Sequence, residues 1–209
     1  MAQHISDDVL ARLNVSRESF AQIETYVELL LSWQKKINLI GPSTIEDVWR
    51  RHVLDSLQLL PLMKSETEAI ADLGSGAGVP GLILALGGNL RAELYESNGK
   101  KVAFLREAIR QTKANALVHQ IRLETLEDHL PAAIPQYVTA RALAPLEKLL
   151  FWAEPLLKRG TVGLFHKGQD VDSELNEATK VWKMGAIIRH ASMTDSDGTI
   201  LEVKEITRV

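Results

Sequence analysis

The sequence predicts an α/β protein with a mostly parallel seven-stranded sheet, an antiparallel hairpin at its C-terminal end and a helical region before it. Three observations predict this. From about Glu68 onward, short apolar runs alternate with segments of helical period, the grammar of parallel crossover units. The first of those runs ends in a glycine cluster. The chain finishes on two strand-like segments around Asp195-Ser196-Asp197-Gly198, and Asp-Gly is a strong hairpin turn.

The elements follow in order. Over residues 16–39, Phe20, Ile23, Val27, Leu30, Leu31, Trp33 and Ile37 recur at three- and four-residue steps, the stripe of an amphipathic helix with Ser16 as its cap. Gly41-Pro42 breaks it. Ser43 or Thr44 then caps a second helix, with Glu46 and Asp47 in its first turn, where the dipole favours acids. Its apolar face is Ile45, Val48, Val53, Leu57 and Leu60, and Pro61 ends it. Residues 1–64 thus read as an N-terminal helical region and 65–209 as the α/β domain. Strands are expected over 69–73, 92–96, 120–123, 137–140, 161–165, 186–193 and 199–206. Helices are expected over 82–86, 99 to about 113, 145–157 and 171–181.

Composition removes whole classes of function. With 209 residues, 45% apolar and 24% charged, the chain is an ordinary globular one with length for a substantial core. It has no cysteine, which excludes disulfides, thiolate-held metals and thiol nucleophiles. The six histidines show no metal-ligand spacing, so no metal is expected. Asp7 and Asp8 stand where a secretory leader would be basic, and no apolar run approaches a membrane span, so a cytoplasmic home is expected. At a net charge of −3, any contact with a polyanion must come from a local patch.

The strongest signal is Asp72-Leu73-Gly74-Ser75-Gly76-Ala77-Gly78-Val79-Pro80-Gly81, a strand end turning through glycines into a helix. Such a loop at the carboxyl edge of a parallel sheet is a nucleotide cradle. Two ligands compete for it. Residues 76–81 fit the dinucleotide pattern G-x-G-x-x-G, with Glu96 about 20 residues on as the ribose-binding acid, which reads as an NAD-type oxidoreductase. Alternatively, Asp72-x-Gly74-x-Gly76-x-Gly78 is similar to the first motif of class I S-adenosylmethionine (SAM) methyltransferases. Asp72 favours the second reading, because an acid there suits a ligand ammonium and repels a pyrophosphate. A non-catalytic SAM- or RNA-binding module is the third reading.

Four further motifs join the loop. They are Arg51-His52-Val53-Leu54-Asp55-Ser56, Glu96-Ser97-Asn98-Gly99-Lys100-Lys101, Arg141-Ala142-Leu143-Ala144-Pro145-Leu146 and Lys167-Gly168. Together and in this order they resemble the RsmG (GidB) family across nearly the whole chain. The resemblance implies a Rossmann-like class I SAM-dependent methyltransferase fold. It also implies a monomeric cytoplasmic enzyme that methylates N7 of guanine 527 in 16S ribosomal RNA, free or in a small-subunit precursor. It places Gly74, Gly76 and Val79 in the cofactor loop with Asp72, Glu96 at the ribose, Leu126 and Glu127 at the adenine side and Arg141 at the end of the fourth strand. Two departures stand out: Thr125 where the family often has Arg, and His166 where an aliphatic residue is common.

Guanine N7 carries an in-plane lone pair, so its attack on a sulfonium methyl needs no general base; alignment does most of the work. That fits a chain with no evident nucleophile–base pair. The RNA must be held by cations near the cofactor. The candidates are Arg51, His52, Lys100, Lys101, Arg141 and Lys167, of which Arg141 and Lys167 follow predicted strands at the ligand-binding edge. Arg106, Arg110 and Lys113 make a row on one helix that reads as a solvated face. The four tryptophans are scattered and read as core rather than as a stacking platform.

Overall fold

In the computed structural model, which describes residues 5–194 and 198–209, a seven-stranded sheet runs in the order β3-β2-β1-β4-β5-β7-β6. The strands are β1 (Ala69–Leu73), β2 (Arg91–Tyr95), β3 (Ala116–His119), β4 (Tyr137–Arg141), β5 (Val162–Lys167), β6 (Trp182–Ala191) and β7 (Thr199–Arg208). The first five are mutually parallel, while β7 inserts antiparallel between β5 and β6. Central β1 is buried at every position, as a strand covered on both faces must be. Of the expected hairpin turn, residues 195–197 lie outside the described residues; the two strands pair as the turn requires.

Two apolar layers cover the sheet. On one face, α4 (Gly81–Gly88) and α5 (Gly99–Thr112) share a core with α1 (Asp7–Arg12) and α2 (Arg17–Gln34). That core runs without interruption from Leu10 and Ile23 through Leu57 to Leu82 and Phe104, across the 64/65 boundary. On the other face, α6 (Leu146–Leu157) and α7 (Val171–Ala178) pack on Ala71, Val138 and Phe165. The tryptophans serve these layers: Trp33 meets Phe104 edge-on at 5.7 Å, and buried Trp182 donates to the Glu147 carbonyl at 3.1 Å.

Several expected bounds move, for visible reasons. Ser16 does cap α2, accepting from the Ser19 amide. The helix stops at Gln34, not residue 39, because the Gln34 carboxamide turns back to accept from the Leu39 and Ile40 amides and to donate to the Ile40 carbonyl. The expected second helix is broken into a 3-10 turn (Pro42–Thr44), a wide π-type turn (Trp49–Leu54) running into α3 (Asp55–Leu57), and another 3-10 turn (Leu60–Leu62). Thr44 caps nothing; its hydroxyl donates to the Gly41 carbonyl. The third strand is β3 at Ala116–His119 rather than 120–123, since its register ends flush with β2 at Tyr95↔His119. Beyond that edge, residues Leu123–His129 wind into a 3-10 stretch.

The N-terminal region reaches the glycine loop itself. Tyr26 of α2 is fully buried and donates through its hydroxyl to the Ala77 carbonyl at 2.7 Å. An unsatisfied buried acceptor costs about 1–3 kcal/mol. Tyr26→Phe should therefore lower the urea-unfolding free energy by that amount, whereas an unchanged midpoint would mean that the bond contributes nothing.

Candidate functional site

The loop over residues 72–81 leaves the carboxyl end of β1 and enters α4, at the edge where parallel sheets bind ligands. Gly74 and Gly76 take left-handed φ angles of 66° and 57°. The space beside them differs. A Cβ on Gly74 would crowd Leu143 Cδ1, the movable end of a half-buried side chain, so it is mainly the left-handed φ that calls for glycine there. A Cβ on Gly76 would meet nothing closer than the Gly74 carbonyl at 3.7 Å and Lys101 Nζ at 4.0 Å. At Gly76 the left-handed φ, and not crowding, calls for glycine, and the Lys101 ammonium is the nearest side chain. Half-buried Val79 packs from the same loop onto the first core layer.

Glu96 lies at this loop, as its spacing predicts. Its Oε2 accepts from the Gly76 amide at 2.9 Å and its Oε1 from the Asn98 amide at 2.7 Å, while the Ser75 amide donates to the Tyr95 carbonyl. Each carboxylate oxygen keeps a second lone pair for a hydroxyl donor. Asp72 is a correction. It is fully buried beneath the loop, where Oδ1 accepts from the Thr139 hydroxyl at 2.7 Å, so it has no surface to present to a ligand ammonium. Its Oδ2 has no partner, and burial pushes the carboxyl up to about 6. Leu126 places its side chain in the second core layer, while neighbouring Glu127 is exposed.

The candidate cations separate. Lys100 is exposed at the start of α5, where Asn98 caps the helix by accepting from the Lys100 and Lys101 amides. Arg51 lines a cavity of about 450 Å³ at the carboxyl ends of β4 and β5. Lys167 is a correction. Only 6% of its side chain is exposed, and its ammonium donates to the Ala144 carbonyl and to Glu174 Oε2, so it braces the protein and is not offered to a phosphate. His52 is also corrected. It is buried between Thr44 Oγ1 (2.7 Å) and Arg141 Nη1 (3.1 Å), and desolvation lowers its pKa to about 4, leaving a neutral imidazole.

Arg141 ends β4 in the wall of the same cavity, its Nε 3.1 Å from Asp55 Oδ2. Asp55 in turn accepts from Gln58 Nε2 and the Thr194 hydroxyl, and its carbonyl faces His166 Nε2 at 2.8 Å. This knot joins the N-terminal region, two strand ends and the segment after β6. Asp55 is singled out in the sequence by its motif. Thr139, Tyr26 and Glu174 are not, because only the tertiary fold brings them to the site. Arg122 is exposed and serves the turn through its carbonyl, which accepts from the Thr125 amide and hydroxyl. Among the described residues no cluster of three or more His, Asp or Glu side chains is arranged to hold a metal ion, and no helix is long and apolar enough to cross a membrane.

The chain matches the family model described as rRNA small subunit methyltransferase G over residues 19–199. It is 48% identical over 198 residues to the ribosomal RNA small subunit methyltransferase G of Rhodospirillum rubrum, covering 95% of this chain and 96% of that one. With the protein of the same name from Methylorubrum populi the identity is 46% over 213 residues, covering 100% and 99%. Solved structures share the fold at low identity. The fibrillarin/Nop5p complex aligns with a TM-score of 0.58 at 17% identity, covering 76% of this chain and 83% of that one. TYW2 of M. jannaschii in complex with AdoMet aligns with a TM-score of 0.55 at 16% identity, covering 84% and 80%.

The two left-handed glycine φ angles and the Glu96 carboxylate beside Gly76 fit a ligand that lies on the loop backbone. A valine at Gly76 would put a β-branched side chain both into the space beside that backbone and into a left-handed conformation. Gly76→Val should abolish SAM binding in a calorimetric titration while the far-ultraviolet spectrum stays that of the wild type. Wild-type affinity in the variant would remove the loop from the site.

Proposed function

This chain belongs to the rRNA small subunit methyltransferase G family, and from that premise we propose that it transfers the methyl group of SAM to N7 of a guanine in 16S ribosomal RNA, free or in a small-subunit precursor, as a cytoplasmic monomer. The observation that carries the reading is the loop in which Gly76 lies bare beside Glu96, next to a cavity walled by Arg141 and Leu143. The dinucleotide-oxidoreductase reading falls with the family assignment.

Bound SAM supplies an electrophilic methyl on a sulfonium. The chain's own residues have three tasks. Gly74, Gly76 and Val79 give the cofactor a backbone to lie on, and Glu96 takes the ribose hydroxyls through the lone pairs that the Gly76 and Asn98 amides leave. The cavity at the ends of β4 and β5 takes the target base out of its stack, as chemistry on a base requires. Leu143 lines that cavity and also lies against Gly74, which supports a base and a cofactor held side by side. Lys100, Lys101 and Arg51 meet the RNA phosphates, with Arg141 between the two ligands. No side chain has to move a proton, because the attacking lone pair is already free.

The test is labelled-methyl transfer. Wild-type protein with labelled SAM should place the label in 16S ribosomal RNA, recovered as 7-methylguanosine; label in another nucleoside, or in none, would contradict the proposal. Lys100→Ala should also flatten the salt dependence of RNA binding by about 0.7 in log–log slope, the loss of one phosphate contact to a single strand. An unchanged slope would move the phosphate contact elsewhere.

A further inference from the structure

We propose that Glu174 selects guanine, by accepting a hydrogen bond from the N1–H and N2-amino edge of the target base. The proposal rests on the reading that the base enters the cavity at the ends of β4 and β5. Among the described residues two carboxylates line that cavity, Asp55 and Glu174. Asp55 is fully engaged: Oδ1 accepts from Gln58 Nε2 at 2.7 Å and the Thr194 hydroxyl at 2.6 Å, and Oδ2 pairs with Arg141. Glu174 is engaged on one side alone. Its Oε2 accepts from the Leu146 amide at 2.6 Å and from Lys167 Nζ at 2.5 Å. Its Oε1 has no partner among the described residues, and a quarter of the side chain is exposed. Lys167 is itself locked by the Ala144 carbonyl, so the anchored half of the carboxylate is rigid and the other half remains free for a donor. Ala142, also in the cavity wall, holds φ at +49°, a conformation that a non-glycine residue adopts at some cost and that recurs at functional sites.

The chemistry suits guanine. Its N1–H and N2 amino group are donors, whereas adenine offers a lone pair at N1, which a carboxylate repels. Methyl transfer forms the N7–carbon bond and breaks the carbon–sulfur bond, and the positive charge passes from sulfur to the purine. That charge makes N1–H a better donor, so a carboxylate already bonded there holds the transition state more tightly than the ground state. The proton stays on N1 throughout, and Glu174 remains ionised.

Glu174→Gln inverts the free half of the group. Lys167 and the Leu146 amide keep the carboxamide oxygen in the Oε2 position, which turns the NH₂ donor toward the cavity. The test uses ribosomal RNA fragments carrying either guanosine or unsubstituted purine riboside at the target; the latter keeps N7 and lacks both donors. Wild-type kcat/KM should favour guanosine at least tenfold, and in Glu174→Gln that preference should fall at least tenfold while SAM affinity by calorimetry is unchanged. A preference retained in the variant overturns the proposal. Equal wild-type rates on the two RNAs overturn it whether or not the variant folds. If wild-type protein methylates neither RNA, the methyl-transfer reading itself has failed, and the selection of guanine fails with it.

Discussion

A left-handed backbone at the end of β1 has to be held in place, and most of the site follows from how this chain does so. At Gly74 and Gly76 the loop makes no helix or sheet ladder, so its amides and carbonyls need partners from elsewhere. Glu96 supplies one at the Gly76 amide, Tyr95 another at the Ser75 amide and Tyr26 a third at the Ala77 carbonyl. Beneath them Asp72 is pinned to Thr139 on β4. A carboxylate bonded to backbone amides is worth more than a neutral partner, roughly 1.5–3 kcal/mol. The result is a cradle shaped before any ligand arrives, which is what a reaction driven by alignment requires.

The same logic explains why the N-terminal region is not a loose appendage. Tyr26 ties α2 to the loop, and the core beneath is continuous across both regions. At the sheet edge, Asp55 gathers Arg141, Gln58 and Thr194 into one buried knot, beside which His52 stays neutral. Removing one partner from such a group leaves a buried charge uncompensated, so the knot fixes the segment 49–58 in one arrangement. The segment stays helical over 49–57 but widens into a π turn before α3, and His52, Asp55 and Gln58 each reach a partner outside it.

Much of this was legible in the residues. β1 has its predicted bounds and α5 ends within a residue of them, because both rest on local signals: an apolar run stopped by glycine, and a capped amphipathic stretch. Spacing along the chain also brings Glu96 to the loop, where it accepts from the Gly76 amide. What sequence could not show was the difference between a charge offered to a ligand and a charge spent on the fold. Lys167 sits at a strand end on the ligand-binding edge and looks functional in sequence, yet Glu174, seven residues on, consumes it. Asp72 carries the right charge in the right place, but faces Thr139. Register was the other blind spot: β3 ends where β2 ends, and nothing in residues 116–123 marks that edge.

Calorimetric titration of SAM into Glu96→Ala, beside the wild type, tests the central claim most directly. If Glu96 both shapes the loop and receives the ribose, its loss should weaken SAM about ten- to a hundredfold, the equivalent of charge-assisted bonds worth roughly 1.5–3 kcal/mol. An affinity equal to that of the wild type would contradict the account, because the cradle would then hold its ligand without the carboxylate on which its geometry depends.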